Sequence, residues 1–333
     1  VKEIWVDLAT TQSLTQTTFF GKRSGHMPIT GEMTIDKVIE GIKNILDLTY
    51  EYRNEDYVER GEKIRQELVC ERGLGFCPGC PHRASYWSIK NAIKLDDQDG
   101  FLNPDIGCYA LARTASGFFL SKTGGAMGSG TGLASGFGKL RQFGFDQSVI
   151  SVCGDSTFFH AAMPALINAK YSNSNFLMCI LDNSATAMTG FQPHAGIGKT
   201  AMGDPSAVVD IESIVRAMGI NVIVKDPFNV QDTTNTITNL LQNKNGVTVL
   251  ILKQKCVLTR AKGEKAPFRM YIDAEKCVGQ SCGCNQLCTR IFRCPGIFWN
   301  NETGKAEINM VTCTGCGVCA DVCPNSAIIK EEA

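Results

Sequence analysis

The sequence lacks an excess of charge of either sign. Its 333 residues include 33 lysines and arginines and 33 aspartates and glutamates, so the formal net charge is zero. A neutral chain has no bulk electrostatic attraction for nucleic acid or for an anionic membrane surface. We therefore expect no nucleic acid among its partners.

The sequence also lacks a hydrophobic run long enough to cross a bilayer, and we find no segment with the pattern of a signal peptide. Its apolar runs, such as 176–181 and 247–252, have the length of strands. Hydrophobic residues still make up 44% of the chain, enough for a substantial core. We expect a cytoplasmic protein without a membrane span.

Cysteine is abundant. The chain has sixteen cysteines, and nine of them lie between Cys277 and Cys323. In a chain without a secretory signal, cysteines at such close spacing are more often metal or redox ligands than disulfide partners.

The first 72 residues are predicted to be a helical and linker segment at the end of a preceding domain. A helix is expected from Thr34 to about Tyr50, with Thr34 as its N-cap and an apolar stripe along one face. The charged stretch 51–72 is expected to be a solvated helix and linker. Residues 1–18 resemble neither a targeting peptide nor the start of an element, so we expect one piece of a larger enzyme, either a fragment or a subunit.

Residues 73–255 show an α/β pattern in which short apolar runs alternate with helical patterns. This alternation predicts a parallel sheet covered by helices. Strands are expected at 147–153, 176–181, 220–224 and 247–252, and helices near 158–171, 207–218 and 230–242. Ligands of such sheets bind beyond the carboxyl ends of the strands, so the loops after Cys153 and Leu181 are the candidate site.

A basic connector, 256–271, leads to a cysteine-rich domain at 272–333. Its second half has the spacing of a bacterial ferredoxin, in which three cysteines hold one cubane and the fourth, before a proline, ligates the other cluster. A zinc site would instead pair two Cys-x-x-Cys knuckles. The cysteines of this run are Cys313, Cys316, Cys319 and Cys323, and Pro324 follows.

The first half of this domain is irregular, with cysteines at Cys277, Cys282, Cys284, Cys288 and Cys294. Because Cys294 also precedes a proline, we assign it to the cluster of Cys313, Cys316 and Cys319. The other cluster then takes Cys323 and three of the four remaining cysteines. Cys277 and Cys288 are the firmer assignments, and the spacing does not decide between Cys282 and Cys284. We predict a small α+β dicluster ferredoxin-like domain with two [4Fe-4S] clusters; a single cluster beside a degenerate first half is the alternative.

The loops of the α/β domain carry a second motif. Gly154-Asp155-Ser156 ends one predicted strand, and Asn183, 29 positions after Gly154, follows the next. This resembles the thiamine-diphosphate fingerprint of Gly-Asp-Gly followed by asparagine, with Ser156 in place of the second glycine. Mg²⁺ requires oxygen ligands, which the side chains of Asp155 and Asn183 and the backbone carbonyl of Ala185 can supply. Gly154 is expected to let the backbone approach the phosphates, next to a helix N-terminus.

Three further segments are candidates for cofactor contact. They are the Cys77-Pro-Gly-Cys80-Pro-His82 segment, Asp105-Ile-Gly-Cys108, and the glycine-rich 124–130, which contains Met127. The Cys-x-x-Cys unit is typical of a redox pair or of half a zinc site, but no second knuckle stands nearby. For the glycine-rich segment, close helix packing remains an equal alternative.

In this order, and followed by the dicluster domain, the motifs closely resemble those of indolepyruvate:ferredoxin oxidoreductase alpha subunits, within the 2-oxoacid:ferredoxin oxidoreductase superfamily. The resemblance covers about residues 20–330, and the chain looks like the carboxyl-terminal half of such a subunit. It implies a parallel-sheet thiamine-diphosphate-binding domain at 73–255. It also implies oxidative decarboxylation of an aryl 2-oxoacid, of the indolepyruvate or phenylpyruvate type, with coenzyme A to an acyl-CoA, carbon dioxide and reduced ferredoxin.

The resemblance also implies site residues. His82, Cys108 and His194 are the catalytic candidates, although for each histidine a structural role is an equal alternative. Met127 is expected to be the apolar wedge that keeps the cofactor bent. The expected cofactor-binding residues are Cys77, Cys80, His82, Ile106, Gly107, Cys108, Met127, Gly154, Asp155, Ser156, Thr157, Asn183, Ala185, Thr186, Ala187 and Met188.

No glutamate occurs in the cofactor-binding motifs, although thiamine enzymes need one against the aminopyrimidine ring. In this superfamily that residue belongs to the pyrimidine-binding domain, so we expect the chain to be inactive without a partner that carries this domain. A gamma- or beta-type subunit and ferredoxin are the other expected partners. Two alternatives stay open: another 2-oxoacid (pyruvate, 2-oxoglutarate, a branched-chain oxoacid or phenylglyoxylate), or an electron carrier with a non-catalytic α/β scaffold.

Overall fold

The computed structural model describes residues 18–69, 73–97, 99–260 and 264–333, and the chain forms two compact units, 1–72 and 73–333. The expectation for residues 1–18 therefore falls almost wholly outside the described part. The same holds for residues 70–72 of the predicted charged stretch and for residues 261–263 of the predicted connector.

In its described residues, 18–69, the first unit contains two α-helices, α1 (Ile35–Leu46) and α2 (Glu55–Leu68). Thr34 caps α1 as predicted, because its side chain accepts a hydrogen bond from the backbone N–H of Lys37. The predicted end near Tyr50 is wrong: Asp47 adopts the left-handed conformation (φ 50°), which ends the helix after Leu46. The apolar stripe of α1 is largely exposed, and α2 buries no residue.

The second unit is built on a five-stranded parallel sheet in the order β1-β2-β3-β5-β4. Its strands are β1 (Phe101–Pro104), β2 (Val149–Gly154), β3 (Leu177–Asp182), β4 (Asn221–Lys225) and β5 (Thr248–Lys253). Strands β2 to β5 were predicted to within two residues. Strand β1 was missed because it has only four residues, two of which are Asn103 and Pro104.

Strands β2, β3 and β5 lie at the centre of the sheet and are almost completely buried. Their nearly continuous apolar sequences are typical of parallel strands covered on both faces. The helices of this domain are α3 (Pro81–Asp96), α4 (Ser129–Lys139), α5 (Met163–Tyr171), α6 (Ile211–Ala217) and α7 (Val230–Leu241). The predicted helix near 158–171 begins earlier, with a helical turn Asp155–Thr157 and a π-helical segment Phe158–Ala162 that leads into α5. Such π segments are frequent at functional sites.

The cysteine-rich domain consists of two small antiparallel sheets and one short helix. Strand β6 (Phe268–Ile272) pairs with β9 (Ile328–Glu332), β7 (Ile297–Asn300) pairs with β8 (Lys305–Ile308), and α8 is Val318–Val322. Shorter helical segments connect the elements of the chain: Lys22–Ser24, Cys108–Arg113, Ala115–Gly117, Leu140–Phe143, Ala187–Thr189, Val257–Thr259, Gly279–Cys282 and Leu287–Ile291.

A second hydrophobic core joins this domain to the α/β domain. Ala84 and Trp87 of α3 and Val230 of α7 pack in one cluster with residues of the cysteine-rich domain, among them Phe292 and Val318. Tyr86 and Ile89, also on α3, belong instead to the main core of the α/β domain. Helix α3 is therefore buried from two sides, which explains why ten of its sixteen residues are buried.

In the described part of the chain, no helix combines the length and the apolar character that crossing a membrane requires.

Candidate functional site

A cleft of about 480 Å³ lies at the carboxyl edge of the parallel sheet. Its walls come from the loops that follow β1, β2 and β3, and from the start of α3. They contain most of the expected cofactor-binding residues, and also Tyr109 and Thr189, which were not expected. The lining residues are His82, Ile106, Gly107, Cys108, Tyr109, Met127, Gly154, Asp155, Ser156, Thr157, Asn183, Ala185, Thr186, Ala187, Met188 and Thr189.

Asp155 and Asn183 meet at the floor of this cleft because they follow the neighbouring strands β2 and β3. Asp155 accepts hydrogen bonds from the backbone N–H groups of Ser156 (2.8 Å, to Oδ1) and Ala185 (3.3 Å, to Oδ2). The same Ala185 N–H also lies 3.2 Å from the amide oxygen of Asn183. All three residues at this junction are buried, so a carboxylate and an amide oxygen are held side by side.

His194 adds a polar atom without a hydrogen-bond partner to the same site. Its Nδ1 accepts a hydrogen bond from the backbone N–H of Gly196 (3.2 Å), so in the neutral ring Nε2 carries the proton. Nε2 lies 3.1 Å from Oδ2 of Asp155, yet it is buried and too poorly aligned to form a hydrogen bond. A buried donor without a partner costs free energy, and a ligand bound beside Asp155 could reduce this cost by accepting a hydrogen bond from Nε2.

A second carboxylate, Asp182 at the end of β3, lies close to Asp155 and was not predicted. Burial raises the pKa of Asp182, and the negative charge of Asp155 raises it further, against the opposing charge of Lys253. Asp182 does not line the cleft, but the carboxylate of Asp155 and the amide oxygen of Asn183 do, and these are ligand types that Mg²⁺ prefers. The donor set therefore fits a magnesium-bound diphosphate, with Asp155 and Asn183 as ligands.

The backbone N–H groups of Ser156 and Ala185 donate to the side chains of Asp155 and Asn183. The expected role of the Ala185 carbonyl as a Mg²⁺ ligand stays a prediction. Gly154 has a further role beside the predicted approach of the backbone to the phosphates, which stays a prediction. A Cβ atom on Gly154 would lie 2.9 Å from the ring of Tyr109, and one on Gly107 would lie 2.3 Å from it. Both glycines thus make room for Tyr109.

Tyr109 ties the cleft loops together through a buried network. Its hydroxyl lies 2.5 Å from Oδ1 of Asp105 and 2.7 Å from Oγ1 of Thr157, next to Asp155. Oδ2 of Asp105 accepts a hydrogen bond from the backbone N–H of Gly128 (3.0 Å), next to Met127. Burial raises the pKa of Asp105, and these hydrogen bonds oppose that shift. The network therefore connects the loops after β1 and β2 with the turn that carries Met127.

His82 is buried in the wall of the cleft. Burial lowers its pKa to about 4, against the charge of Asp155, which favours the protonated form. The imidazole is therefore neutral near pH 7 and offers the cleft a hydrogen-bonding group without a charge.

His82 is the last residue of the Cys77–His82 segment. Cys77 and Cys80, which were also expected to contact the cofactor, do not line the cleft. The Cys77–Cys80 loop lies instead against the cysteine-rich domain: a Cβ atom on Gly79 would fall 1.9 Å from Oγ1 of Thr314, which stands between Cys313 and Cys316. Gly79 also has a left-handed backbone (φ 67°). This loop therefore joins the cleft to a predicted cluster, with His82 on the cleft side.

Cys108 has two thiol neighbours, Cys77 and Cys256, and the position of Cys256 was not predicted. Burial raises the pKa of Cys108, and charge on Cys256 and Cys77 would raise it further. The backbone N–H of Cys256 donates to the carbonyl of Asn183 (2.9 Å), which holds this thiol at the sheet edge. Cys108 is thus a protonated thiol, a weak nucleophile in this form.

Four thiols of the cysteine-rich domain lie close together, and we call this predicted ligand set the first cluster site: Cys294, Cys313, Cys316 and Cys319. Each of the three later thiols is close enough to Cys294 for its charge to raise their pKa values, and burial raises the pKa of Cys316 to about 11. Among the described residues, no three His, Cys, Asp or Glu side chains converge as the ligands of a single ion do.

The second cluster site is a cavity of about 430 Å³. The five cysteines that remained for the other cluster all line it: Cys277, Cys282, Cys284, Cys288 and Cys323. The backbone N–H of Ala327 donates to Sγ of Cys323 (3.3 Å), and Asn325 donates to Sγ of Cys282 (3.0 Å). Donors directed at sulfur are typical of iron–sulfur sites. Both Cys282 and Cys284 face the cavity, so the choice between them stays open.

Comparison with known proteins agrees with a cofactor site in the α/β domain and an iron–sulfur site in the cysteine-rich domain. Residues 105–252 match the family of the thiamine pyrophosphate enzyme C-terminal TPP binding domain, and residues 306–329 match the 4Fe-4S binding domain. The predicted fold class is confirmed, with a parallel thiamine-diphosphate-binding sheet followed by a ferredoxin-like domain. The match to the 4Fe-4S family begins after Cys294, so it leaves the irregular first half of the motif unmatched.

Curated relatives match almost the whole chain. The indolepyruvate oxidoreductase subunit IorA of Archaeoglobus fulgidus is 35% identical over 314 residues, 93% of this chain and 48% of that protein. The subunit of the same name from Thermococcus kodakarensis is 36% identical over 322 residues, 90% of this chain and 47% of that protein. The chain thus spans about half the length of the curated relatives it matches.

A solved structure of 2-oxoglutarate:ferredoxin oxidoreductase from Magnetococcus marinus has a TM-score of 0.49 and 18% identity, over 59% of this chain and 69% of that chain. This likeness is too distant to bear on function.

The Tyr109 network predicts the effect of removing one hydroxyl. Tyr109→Phe should lower the free energy of unfolding by about 1–3 kcal/mol, because the buried carboxyl of Asp105 loses a hydrogen-bond partner. Denaturant unfolding of the whole chain measures this difference. The matched control is Tyr271→Phe, which removes a hydrogen bond to Glu331 at the surface and should have little effect. Equal effects of the two substitutions would contradict the structural role of Tyr109.

Proposed function

We propose, from the premise that this chain belongs to the 2-oxoacid:ferredoxin oxidoreductase superfamily, that it is the part of such an enzyme that holds thiamine diphosphate and passes electrons onward. The reaction is the oxidative decarboxylation of a 2-oxoacid with coenzyme A, which yields an acyl-CoA, carbon dioxide and reduced ferredoxin. The favoured substrate is an aryl 2-oxoacid of the indolepyruvate or phenylpyruvate type.

One observation carries this proposal: the oxygen ligands of the cleft and the thiols of the first cluster site adjoin the same short segment. His82 lines the cleft, while Gly79, three residues earlier, abuts Thr314 between two cysteines of the first cluster site. An electron carrier with an inert scaffold would not need Asp155 and Asn183 at a buried phosphate-type site. The two sites take part in one reaction if the electrons released by oxidation in the cleft pass to the clusters.

Six residues of the cleft have a role in this proposed reaction. Thiamine diphosphate supplies, when bound, the carbanion chemistry by which a 2-oxoacid loses carbon dioxide. Asp155 and Asn183 would hold the Mg²⁺ that anchors the diphosphate, and the neutral His82 would offer the substrate a hydrogen bond. Ile106, Met127 and Met188 line the cleft with apolar surface, which suits an aryl substrate.

The chain requires a partner in this proposal. The cofactor-binding motifs contain no glutamate, and the cleft is lined by none. We propose that a pyrimidine-binding domain contributes the catalytic glutamate and that ferredoxin takes up the electrons one at a time from the clusters.

The decisive test of the proposed function is an anaerobic assay of the complex reconstituted with the pyrimidine-binding partner. Indolepyruvate and phenylpyruvate should reduce ferredoxin faster than pyruvate, 2-oxoglutarate, a branched-chain 2-oxoacid or phenylglyoxylate, and only when coenzyme A is present. The isolated chain should show no turnover. A preference for a non-aromatic oxoacid would overturn the substrate assignment, and turnover by the chain alone would overturn the need for a partner.

The cofactor assignment predicts that Asp155→Ala abolishes Mg²⁺-dependent binding of thiamine diphosphate, because the substitution removes a charged ligand of the ion. Calorimetric titration of the purified chain measures this binding. Asp204→Ala is the control, since Asp204 lies on an exposed loop and should leave the affinity unchanged. Binding that survives in Asp155→Ala would contradict the assignment.

The dicluster assignment predicts that Cys323→Ser removes one cluster and leaves the other, since Cys323 lines only the second cluster site. Iron and sulfide contents should fall by half, with a [4Fe-4S] signal still present in the electron paramagnetic resonance (EPR) spectrum. Of Cys282→Ser and Cys284→Ser, only one should have the same effect. An unchanged iron content in Cys323→Ser would show that the chain holds a single cluster.

A further inference from the structure

Arg83 is a buried arginine, and burying its charge costs desolvation free energy. Its side chain is 2% exposed, and it lies on the first turn of α3 beside His82. Among the described residues, no aspartate or glutamate forms an ion pair with it. A buried cation of this kind is retained only when other groups compensate its charge.

Part of the compensation comes from two backbone carbonyls in different domains. Nη1 donates to the carbonyl of Phe292 in the cysteine-rich domain (2.8 Å), and Nη2 donates to the carbonyl of Phe76 in the α/β domain. The guanidinium carbon also lies 5.7 Å from the centroids of both phenyl rings. Arg83 thus bridges the two domains, but Nε has no hydrogen-bond partner.

In the part of the chain that the structure describes, anionic charge close to Arg83 would come from thiolates. Burial lowers the pKa of Arg83, and the opposing groups are Cys294, Cys80, Cys77 and Cys316, in that order. Cys294 and Cys316 belong to the first cluster site, and Phe292, which accepts the bond from Nη1, stands two residues before Cys294. The guanidinium therefore lies near two thiols of the first cluster site, Cys294 and Cys316, and near the two thiols of the Cys77–Cys80 loop.

We propose that Arg83 is the buried counter-cation of the cluster at Cys294, Cys313, Cys316 and Cys319, and that its charge raises the reduction potential of this cluster. The inference rests on the iron–sulfur part of the proposed function. A cubane with four thiolate ligands is negatively charged and gains one more negative charge when it is reduced. A fixed positive charge in a medium of low dielectric stabilises the reduced form more than the oxidised form.

The position of Arg83 gives this charge a purpose. His82 and Arg83 are consecutive on α3, and the first lines the cleft while the second contacts the cysteine-rich domain. A higher potential at the first cluster site favours the transfer of an electron from the cleft to that cluster. Arg83 is therefore a positioning and tuning residue, and it has no contact with substrate in this proposal.

The test is an anaerobic redox titration of the iron-loaded full chain, followed by EPR. Arg83→Met keeps an unbranched, largely apolar side chain but removes the charge, and Arg83→Lys keeps the charge but loses the two-pronged geometry. In the Cys323→Ser background only the first cluster remains, so its potential can be read directly. We expect Arg83→Met to lower this potential and Arg83→Lys to keep it near the wild-type value. In the chain that carries Arg83→Met without Cys323→Ser, the potential of the second cluster should stay unchanged.

Arg260 provides a matched control. Its Nη1 donates to the carbonyl of Thr314 (2.9 Å) beside the same cluster site, but its side chain is only partly buried. Water screens such a charge, so Arg260→Met should shift the potential less than Arg83→Met does.

Several outcomes would overturn the proposal. They are an unchanged potential in an Arg83→Met protein with full iron content, equal shifts in Arg83→Met and Arg83→Lys, or equal shifts of both clusters. If Arg83→Met fails to retain the first cluster while Arg83→Lys retains it at the wild-type potential, a need for the charge is supported. Loss of the cluster from both variants would assign Arg83 a purely structural role. No 2-oxoacid is used, so these results do not depend on the proposed substrate.

Discussion

Helix α3 is buried against two hydrophobic cores at once, and the rest of the structure depends on this double burial. Tyr86 and Ile89 pack into the core of the α/β domain, whereas Ala84 and Trp87 pack with Phe292 and the strands of the cysteine-rich domain. The start of the helix is thereby fixed between the cofactor cleft and the first cluster site. A loose joint between these domains would let the separation of the two sites vary.

The fold also brings distant residues together at the carboxyl edge of the sheet. Parallel strands end at one edge, so residues far apart in sequence, such as Asp105, Asp155 and Asn183, meet there. Hydrogen bonds from Tyr109 and from backbone N–H groups then hold the carboxylates in place. The structure thus accepts buried, mutually repelling acids, which a bound cation would stabilise.

The sequence was informative where chemistry is local and uninformative where contacts are distant. The ferredoxin spacing and the Gly154-Asp155-Ser156 turn are short motifs whose residue types are dictated by their ligands, and the central strands are continuous apolar runs. Tyr109, Cys256 and Arg83 carry no local signal, because their roles arise from partners brought near by the fold. From the sequence alone, Arg83 would be expected on the exposed face of a helix, and only the contact with the cysteine-rich domain explains its burial. The end of α1 was missed for a different reason, since Asp47 at φ 50° breaks a pattern that the apolar stripe alone would continue.

The central claim is that oxidation in the cleft reduces the cluster on the other side of α3. The most direct measurement is a single-turnover experiment on the reconstituted complex, mixed anaerobically with indolepyruvate and coenzyme A in the absence of any external acceptor and then frozen for EPR. We expect a reduced [4Fe-4S] signal that develops as the 2-oxoacid is consumed and that is absent when Asp155 is replaced by alanine. Release of carbon dioxide while both clusters remain oxidised would contradict the claim.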